Sequence, residues 1–206
     1  MRPVLLLLLG SISVFAQPFS AGIKAGIPLT DFLNAAGNGT FDYTAPNQRY
    51  IVGGVAELRL PLGLGVEFDA LYRKLSYTGS GTLAGNFTTI SATGNNWEFP
   101  LLLKYRFHFP VVRPYLDAGV AWDALPGLKQ AISEASSAVL GSPAPAVKQN
   151  TTMGFVVGGG VDIHAIFLHI SPEIRFTRWN STQISDALGL LHSNLNQAEF
   201  LVGFTF

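Results

Sequence analysis

The chain has 206 residues, of which 48% are hydrophobic and 13% are charged. An ordinary soluble domain carries roughly 25% charged residues, so this composition is closer to that of a membrane protein. Thirteen lysines and arginines balance thirteen acidic residues, which excludes the strongly basic face of a nucleic-acid-binding protein. The absence of cysteine excludes a disulfide scaffold, a thiol nucleophile and a thiolate zinc site.

Residues 1–16 have the features of a secretory signal peptide. Arg2 supplies a positive charge, Val4–Phe15 form an apolar stretch, and Ala16 offers a small residue at the cleavage position. The apolar stretch is shorter than the roughly 20 residues of a helical membrane span. We therefore predict cleavage before Gln17 and an exported domain that covers residues 17–206.

The rest of the chain shows the period-two alternation of β-strands that separate two unlike environments. The segment Ile166–Trp179 shows this pattern best. Its apolar face carries Leu168, Ile170, Ile174 and Phe176, and its polar face carries His169, Ser171, Glu173, Arg175 and Thr177. A helix would place Glu173 and Arg175 on different sides of any apolar stripe, so the pattern favours a strand.

Eight such segments follow one another, and the connections between them alternate in length. The predicted strands are about Phe19–Leu29, Arg49–Leu60, Leu64–Ser76, Trp97–Phe109, Arg113–Asp123, Thr151–His164, Ile166–Trp179 and Gln197–Phe206. The joints at 61–63, 110–112 and 165–166 are short, whereas those at 30–48, 77–96, 124–150 and 180–196 are long. Long and short joints therefore fall at opposite ends of the strands, as in transmembrane β-barrels. We expect short helices within the long loops at Leu128–Leu140 and Ser185–His192.

Charged residues are sorted to one face of these strands, which holds nine of the thirteen acids and seven of the thirteen bases. They are Lys24, Arg49, Glu57, Arg59, Glu67, Asp69, Arg73, Glu98, Lys104, Arg106, Asp117, Asp123, Asp162, Glu173, Arg175 and Glu199. The interior of an eight-stranded barrel is just filled by side chains. We therefore predict that these residues interlock as a polar network in the lumen and that the apolar face contacts lipid.

Alternation alone does not say which face points inward, since a soluble lipocalin-like barrel has an apolar interior and a polar outside. Aromatic residues at the strand ends favour the membrane arrangement, because they concentrate at membrane interfaces. Trp97, Trp122 and Trp179 all fall at the end with the long loops, and we assign them to the interface. Alternation along its strand places Trp179 on the polar face. Its assignment to the lipid interface therefore requires a bulge near the end of the strand that turns the side chain outward.

The last predicted strand, Gln197–Phe206, closes with the alternating stretch Glu199–Phe206 and ends in phenylalanine. It resembles the closing strand of bacterial outer-membrane barrels, and Gly158–Asp162 with Pro172–Phe176 are similar to the last hairpin of many of them. The whole mature chain resembles the OmpA/OmpX-type family of small outer-membrane β-barrel domains. This resemblance implies an all-β, eight-stranded antiparallel up-and-down transmembrane barrel in the lipid of the bacterial outer membrane. It also implies that the barrel-assembly machinery recognises Phe200, Phe204 and Phe206.

The sequence favours a non-enzymatic, monomeric barrel with an envelope structural role or a surface-binding role. In the second case the long extracellular loops bind an unknown ligand. We expect no cofactor, no metal ion, no catalytic set and no nucleic-acid partner.

Two alternatives stay open. One is a lipid A-modifying esterase, because His169, Ser171 and Glu173 share a strand face and their spacing resembles the His-x-Ser motif of outer-membrane lipid A deacylases. The other is a small pore or a lipocalin-like ligand carrier.

His108, His164 and His169 fall near the short-turn end. We interpret these three histidines as polar residues of the lumen in preference to ligands of a weak metal site.

Overall fold

The computed structural model describes residues 18–35, 41–44, 50–83, 86–109, 111–125, 146–147, 151–165, 168–182, 184–185 and 191–206. Its eight long strands are β1 (Phe19–Pro28), β2 (Ile51–Arg59), β3 (Leu64–Leu83), β4 (Asn86–Arg106), β5 (Val112–Ala124), β6 (Thr151–Ala165), β7 (Leu168–Trp179) and β8 (Asn196–Thr205). The predicted signal peptide, Arg49 and the predicted helix at Leu128–Leu140 lie outside the described residues. Among the described residues, no helix is both long enough and apolar enough to cross a membrane.

Each strand pairs in antiparallel fashion with the next one along the chain. The last strand, β8, pairs with β1, from Thr205 opposite Gly22 to Glu199 opposite Pro28. The sheet is therefore a closed up-and-down barrel, and the predicted eight-stranded antiparallel fold is confirmed. Closure pairs the backbone of every barrel strand on both sides, which removes the exposed edges of an open sheet.

Tight connections join the strands at one end of the barrel, which we call the short-turn end. Between β2 and β3, Pro61–Gly63 form a 3-10 turn in which Leu62 and Gly63 have φ angles of 65° and 81°. Glycine adopts such positive φ values without steric cost, whereas leucine does so rarely. The Leu62 side chain is 79% exposed. The opposite end carries the long connections, and we call it the long-loop end.

The strands β3 and β4 are much longer than the sequence pattern indicates. They pair continuously from Leu71 opposite Glu98 to Leu83 opposite Asn86, and the separate strand Phe41–Thr44 pairs with Thr78–Gly81. The predicted loop at 77–96 was therefore wrong, because these residues form a hairpin that projects beyond the barrel. Apolar and polar residues alternate along a strand where its two faces meet unlike environments, such as lipid and the lumen. The two faces of a projecting hairpin do not meet lipid and lumen, so its sequence need not alternate.

Four short segments form a second, small sheet at the long-loop end. Its strand order is Leu33–Ala35, Leu191–Ser193, Ile184–Ser185 and Ala146–Val147, so three different loops contribute to it. Ser185 lies opposite His192 in this sheet, and the helix predicted over Ser185–His192 was wrong. A segment this short does not sustain a helix on its own, and pairing between loops supplies its backbone partners instead.

The barrel carries its apolar side chains on the outside. Ile23, Leu103, Leu116, Phe155 and Ile174 point outward and are between 57% and 62% exposed. Charged side chains such as Asp69 and Arg175 point inward and are fully buried. This arrangement is the reverse of a lipocalin-like carrier, which therefore does not describe the chain. An apolar outer surface of this kind is stable only against lipid.

Candidate functional site

Three bases and three acids in the middle of the lumen are joined by direct ion pairs, and we call these six residues the central cluster. They are Lys24, Glu67, Asp69, Lys104, Glu173 and Arg175, all at most 2% exposed. The ammonium of Lys24 lies 2.7 Å from Glu67, 3.1 Å from Asp69 and 3.3 Å from Glu173. Lys104 pairs with the second oxygen of Glu67. Three positive and three negative formal charges cancel, which is how buried ions avoid a large desolvation penalty.

Arg175 is the most highly connected side chain of the central cluster. Its Nε donates to Glu173 at 2.7 Å, its Nη1 lies 2.9 Å from Asp69, and its Nη2 lies 3.3 Å from Glu67. These three residues come from β3 and β7. The planar fork of arginine donors suits several carboxylates at once, so Arg175 joins opposite parts of the barrel wall through the lumen.

Tyr115 on β5 also belongs to this region, although sequence alternation treats tyrosine as apolar. Its hydroxyl donates to Glu173 at 3.1 Å, and Lys104 lies 4.2 Å from the centre of its ring. That distance is typical of a cation–π contact. A Cβ atom at Gly160 would lie 2.7 Å from the Tyr115 hydroxyl, so only glycine leaves room for the ring. Tyr115 is two residues from Asp117 on β5 and therefore shares its face, which is how the sequence could have placed Tyr115 in the lumen.

A second group lies nearer the long-loop end, where Arg73 is the central base. Arg73 pairs with Glu98 and lies 2.6 Å from Glu199, and it donates to Gln197 at 3.3 Å. Asp123 lies opposite Glu98 in the pairing of β4 with β5 and is 1% exposed. Phe32, which is 2% exposed, lies 5.7 Å from the Arg73 guanidinium. An apolar ring therefore covers this ionic group on one side.

An apolar cluster closes the lumen at the same end. Trp179 is 3% exposed and packs with Leu102, Ala121 and Val156, and Leu195 covers the cluster. Trp179 was predicted at the lipid interface, and that prediction was wrong. The pairing of β7 with β6 continues unbroken from Glu173 to Trp179, so no bulge turns the ring outward.

The other two tryptophans point away from the lumen. Trp97 and Trp122 are 37% and 38% exposed, close to the level at which β4 begins to pair with β5, where Trp97 lies opposite Ala124. The Trp97 ring lies 5.3 Å from the ring of Tyr72 and stacks on Phe99 at 6.3 Å. These aromatic side chains occupy the outer surface of the barrel, on the face opposite the charged lumen.

Polar side chains also converge at the short-turn end of the lumen. Arg106 holds both oxygens of Glu57 with its terminal nitrogens and lies 3.2 Å from Asp162 through Nε. Asp162 also accepts from His169 Nδ1 at 3.1 Å, and His169 Nε2 lies 2.9 Å from His164 Nδ1. Arg59 lies 3.8 Å from Glu57 and 3.3 Å from His169. The lumen is therefore lined with paired charges from its middle to this end.

With this geometry in view, the chain can be compared with known proteins. No family model and no curated protein matches it. Among solved structures, it is similar to the outer membrane protein OprG from Pseudomonas aeruginosa, with a TM-score of 0.60 and 14% sequence identity over 91% of this chain and 92% of that chain. The chain has the fold of the small eight-stranded outer-membrane barrels.

Two further outer-membrane barrels show the same architecture less closely. Neisserial surface protein A gives a TM-score of 0.47 at 14% identity over 91% of this chain and 96% of that chain. The N-terminal barrel domain of Pseudomonas aeruginosa OprF gives a TM-score of 0.41 at 15% identity over 92% of this chain and 98% of that chain. The expected likeness to small outer-membrane barrels is confirmed at the level of the fold by OprG.

In this outer-membrane barrel fold, His169, Ser171 and Glu173 do not form a connected catalytic set. Ser171 donates to Asp162 at 3.4 Å, and His169 also contacts Asp162. Glu173 is bound by Lys24, Arg175 and Tyr115. A serine nucleophile requires a base within hydrogen-bond reach that a third group orients, and the described contacts place an acid at that position.

The remaining predicted residues of the barrel have distinct placements. His108 lies at the exposed short-turn end, and within the described ranges no three His, Cys, Asp or Glu residues are arranged to hold a metal ion. Asp117 is buried on β5 beside Gly158. Phe200 and Phe206 on the outward face of β8 are 37% and 73% exposed, and Phe204 shares that face. The Phe206 backbone bonds to Ala21 at the closing seam.

Proposed function

We propose that the chain is a non-enzymatic β-barrel of the bacterial outer membrane with a closed lumen and a surface-binding role. The observation that carries this proposal is the filled lumen, where buried charged side chains and the Trp179 cluster occupy the space that a pore requires. The apolar outer surface and the likeness to OprG support the location in the outer membrane. In this proposal the protein is a monomer without cofactor, since closure completes the sheet within one chain.

The projecting hairpin supports the surface-binding part of the proposal. Beyond Tyr77 and Ala92, β3 and β4 continue to Leu83 and Asn86 with Phe41–Thr44 as a third strand. The short-turn end then faces the periplasm and the hairpin faces the outside, where it offers backbone and side chains to an external ligand. In the same proposal residues 1–16 direct export, and the barrel-assembly machinery recognises Phe200, Phe204 and Phe206.

Orientation is tested by labelling single cysteines, because the chain contains none of its own. Ser80→Cys lies in the hairpin opposite Thr89, and Leu62→Cys lies in the 3-10 turn at the other end. We expect a membrane-impermeant maleimide to label Ser80→Cys on intact cells and Leu62→Cys only after the cells are opened. Equal labelling of both variants on intact cells would contradict the orientation.

The closed lumen is tested by conductance. Purified protein, verified as folded by its faster migration in unboiled electrophoresis samples, is inserted into planar lipid bilayers. We expect no steady single-channel current, since the paired charges of the lumen leave no continuous water path. Reproducible ohmic channels from the folded protein would show that the pore alternative is correct.

A further inference from the structure

A cavity of about 260 Å³ opens at the short-turn end of the barrel. It is lined by three arginines and a histidine together with apolar and backbone groups from the turn between β2 and β3. Its basic and histidine side chains are Arg59, Arg106, His108 and Arg113. Its apolar side chains include Leu60, Leu62 and Leu64. Sites for drug-sized ligands start at about 300 Å³, so this cavity suits a small group.

The arginines of this cavity outnumber the acids that face them. Glu57 and Asp162 are both 3% exposed and lie behind Arg106, which holds them with all three of its guanidinium nitrogens. Three guanidinium groups against two carboxylates leave one formal positive charge at this end. The His164 and His169 rings contact each other on the lumen side and add no negative charge.

Two of the arginines are available to a ligand. Arg59 is 29% exposed at its side chain; its Nε lies 3.8 Å from Glu57 and its Nη1 lies 3.3 Å from His169 Nε2, so that Nη2 is outside these contacts. Arg113 is exposed, and its described hydrogen bond uses only Nε, which donates to the Phe109 carbonyl at 3.2 Å. Guanidinium groups with free terminal nitrogens bind phosphate through two parallel hydrogen bonds. The pair therefore offers a fork of donors to an oxyanion.

The surroundings of the cavity place it at a membrane surface. Leu62 and Phe107 line it and are 79% and 39% exposed, and Phe109, whose carbonyl accepts from Arg113, is 54% exposed. Apolar side chains next to arginines at the end of a lipid-facing wall are typical of the boundary between acyl chains and headgroups, where long basic side chains reach toward the polar region. Phosphate groups of phospholipids lie at the same boundary.

We propose that this cavity is a binding site for a phosphate group, held by Arg59 and Arg113 and backed by Arg106. The phosphate is carried either by the headgroup of a phospholipid in the adjacent leaflet or by a soluble ion, and the chemistry of recognition is the same. Arg106 is a positioning residue, since it is saturated by Glu57 and Asp162 and holds the cavity wall in place. The site does not depend on the surface-binding role of the hairpin.

The test uses the purified barrel in uncharged detergent and three probes: inorganic phosphate, dihexanoylphosphatidylglycerol and dihexanoylglycerol, which lacks the phosphate. Binding is measured by calorimetric titration on the natural chain and on the Arg59→Gln/Arg113→Gln variant. Loss of two charge-assisted contacts should weaken binding of a phosphate probe by about tenfold or more. Arg178→Gln is the matched control, because it removes an exposed arginine at the opposite end and should change affinity by less than about twofold.

Unboiled electrophoresis verifies that each variant is folded, and Arg113→Gln alone, at an exposed position, replaces the double variant if that one unfolds. Binding of the phospholipid but not of inorganic phosphate identifies the headgroup as the source, and binding of both identifies the phosphate group itself. The proposal is overturned if neither phosphate probe binds, if dihexanoylglycerol binds as well as the phospholipid, or if Arg178→Gln weakens binding as much as the double variant.

Discussion

Arg175 shows how a single residue can hold a charged lumen together. It contacts Glu67, Asp69 and Glu173 and has no exposed side-chain surface. The net contribution of a buried ion pair to stability is small, because desolvation offsets the attraction. Removal of one partner is different, since the three acids stay buried with one cation fewer to compensate them.

Arg175→Met is therefore expected to destabilise the barrel strongly. Loss of one partner from a buried ion network typically costs about 3–5 kcal/mol, and three acids lose a partner here. Urea unfolding in lipid vesicles, followed by tryptophan fluorescence, measures the change. Arg178→Gln on the same strand is exposed and should stay within about 0.5 kcal/mol. Equal unfolding midpoints for the two variants would show that the contacts of Arg175 make no net contribution to the free energy of unfolding.

Gly160 makes the space that Tyr115 occupies. A Cβ atom there would lie 2.3 Å from the Pro172 carbonyl oxygen and 2.7 Å from the Tyr115 hydroxyl. Gly160→Ala should cost about 1–3 kcal/mol, as overpacking of a filled interior does. Gly54→Ala is the control, since its nearest neighbouring atom would be 4.0 Å away. The same unfolding assay compares both, and an unperturbed Gly160→Ala variant would mean that the Tyr115 ring has another place to go.

At the scale of the element, β7 shows where sequence alternation is informative. From Glu173 to Arg178 its residues pair without interruption on both sides, and buried and exposed side chains alternate along it. The projecting part of β3 and β4 shows the limit. Its two strands pair with each other without a gap, but its sequence carries no two-faced pattern because no lipid bounds it.

On the lipid-facing side of β7, the free-energy cost of introducing an arginine should depend on its depth in the bilayer. Ile174 is 59% exposed on the outer face and lies mid-strand, opposite Phe200 and Gly159. Ile174→Arg should cost about 2–4 kcal/mol in a bilayer, whereas Leu62→Arg in the turn at the barrel rim should cost at most about 1 kcal/mol. Unfolding from lipid vesicles measures both. Equal costs would place Ile174 outside the hydrocarbon region.

At the scale of the whole molecule, closure makes the barrel one cooperative unit. Every strand has two neighbours, and the seam between β1 and β8 extends over seven residue pairs. The hairpin beyond Tyr77 and Ala92 pairs only with its own two strands and with Phe41–Thr44 in the described chain. The barrel and the hairpin should therefore differ in local stability.

Amide hydrogen exchange in detergent tests that difference. Amides of β5 and β6 open only when the barrel unfolds, whereas those of 78–83 and 86–91 open with the hairpin. We expect the hairpin amides to exchange faster by at least about tenfold, which corresponds to roughly 1.4 kcal/mol of local stability. Slow exchange throughout the hairpin would indicate that it packs against further parts of the molecule and does not stand free.

The sequence by itself determined the number of barrel strands, the face on which the charges of the described strands lie, and the ends with long and short connections. These properties are local, because side chains alternate along any strand. Only the tertiary structure decided the partners: Lys24 meets Glu173 across 149 positions of sequence, and Arg175 meets Glu67 across 108. An ion pair requires two strands to face each other at the same height, and that height follows from the stagger of the closed barrel. The sheet formed by three loops is likewise decided by the tertiary structure, whereas the inward positions of Tyr115 and Trp179 follow the alternation of their own strands.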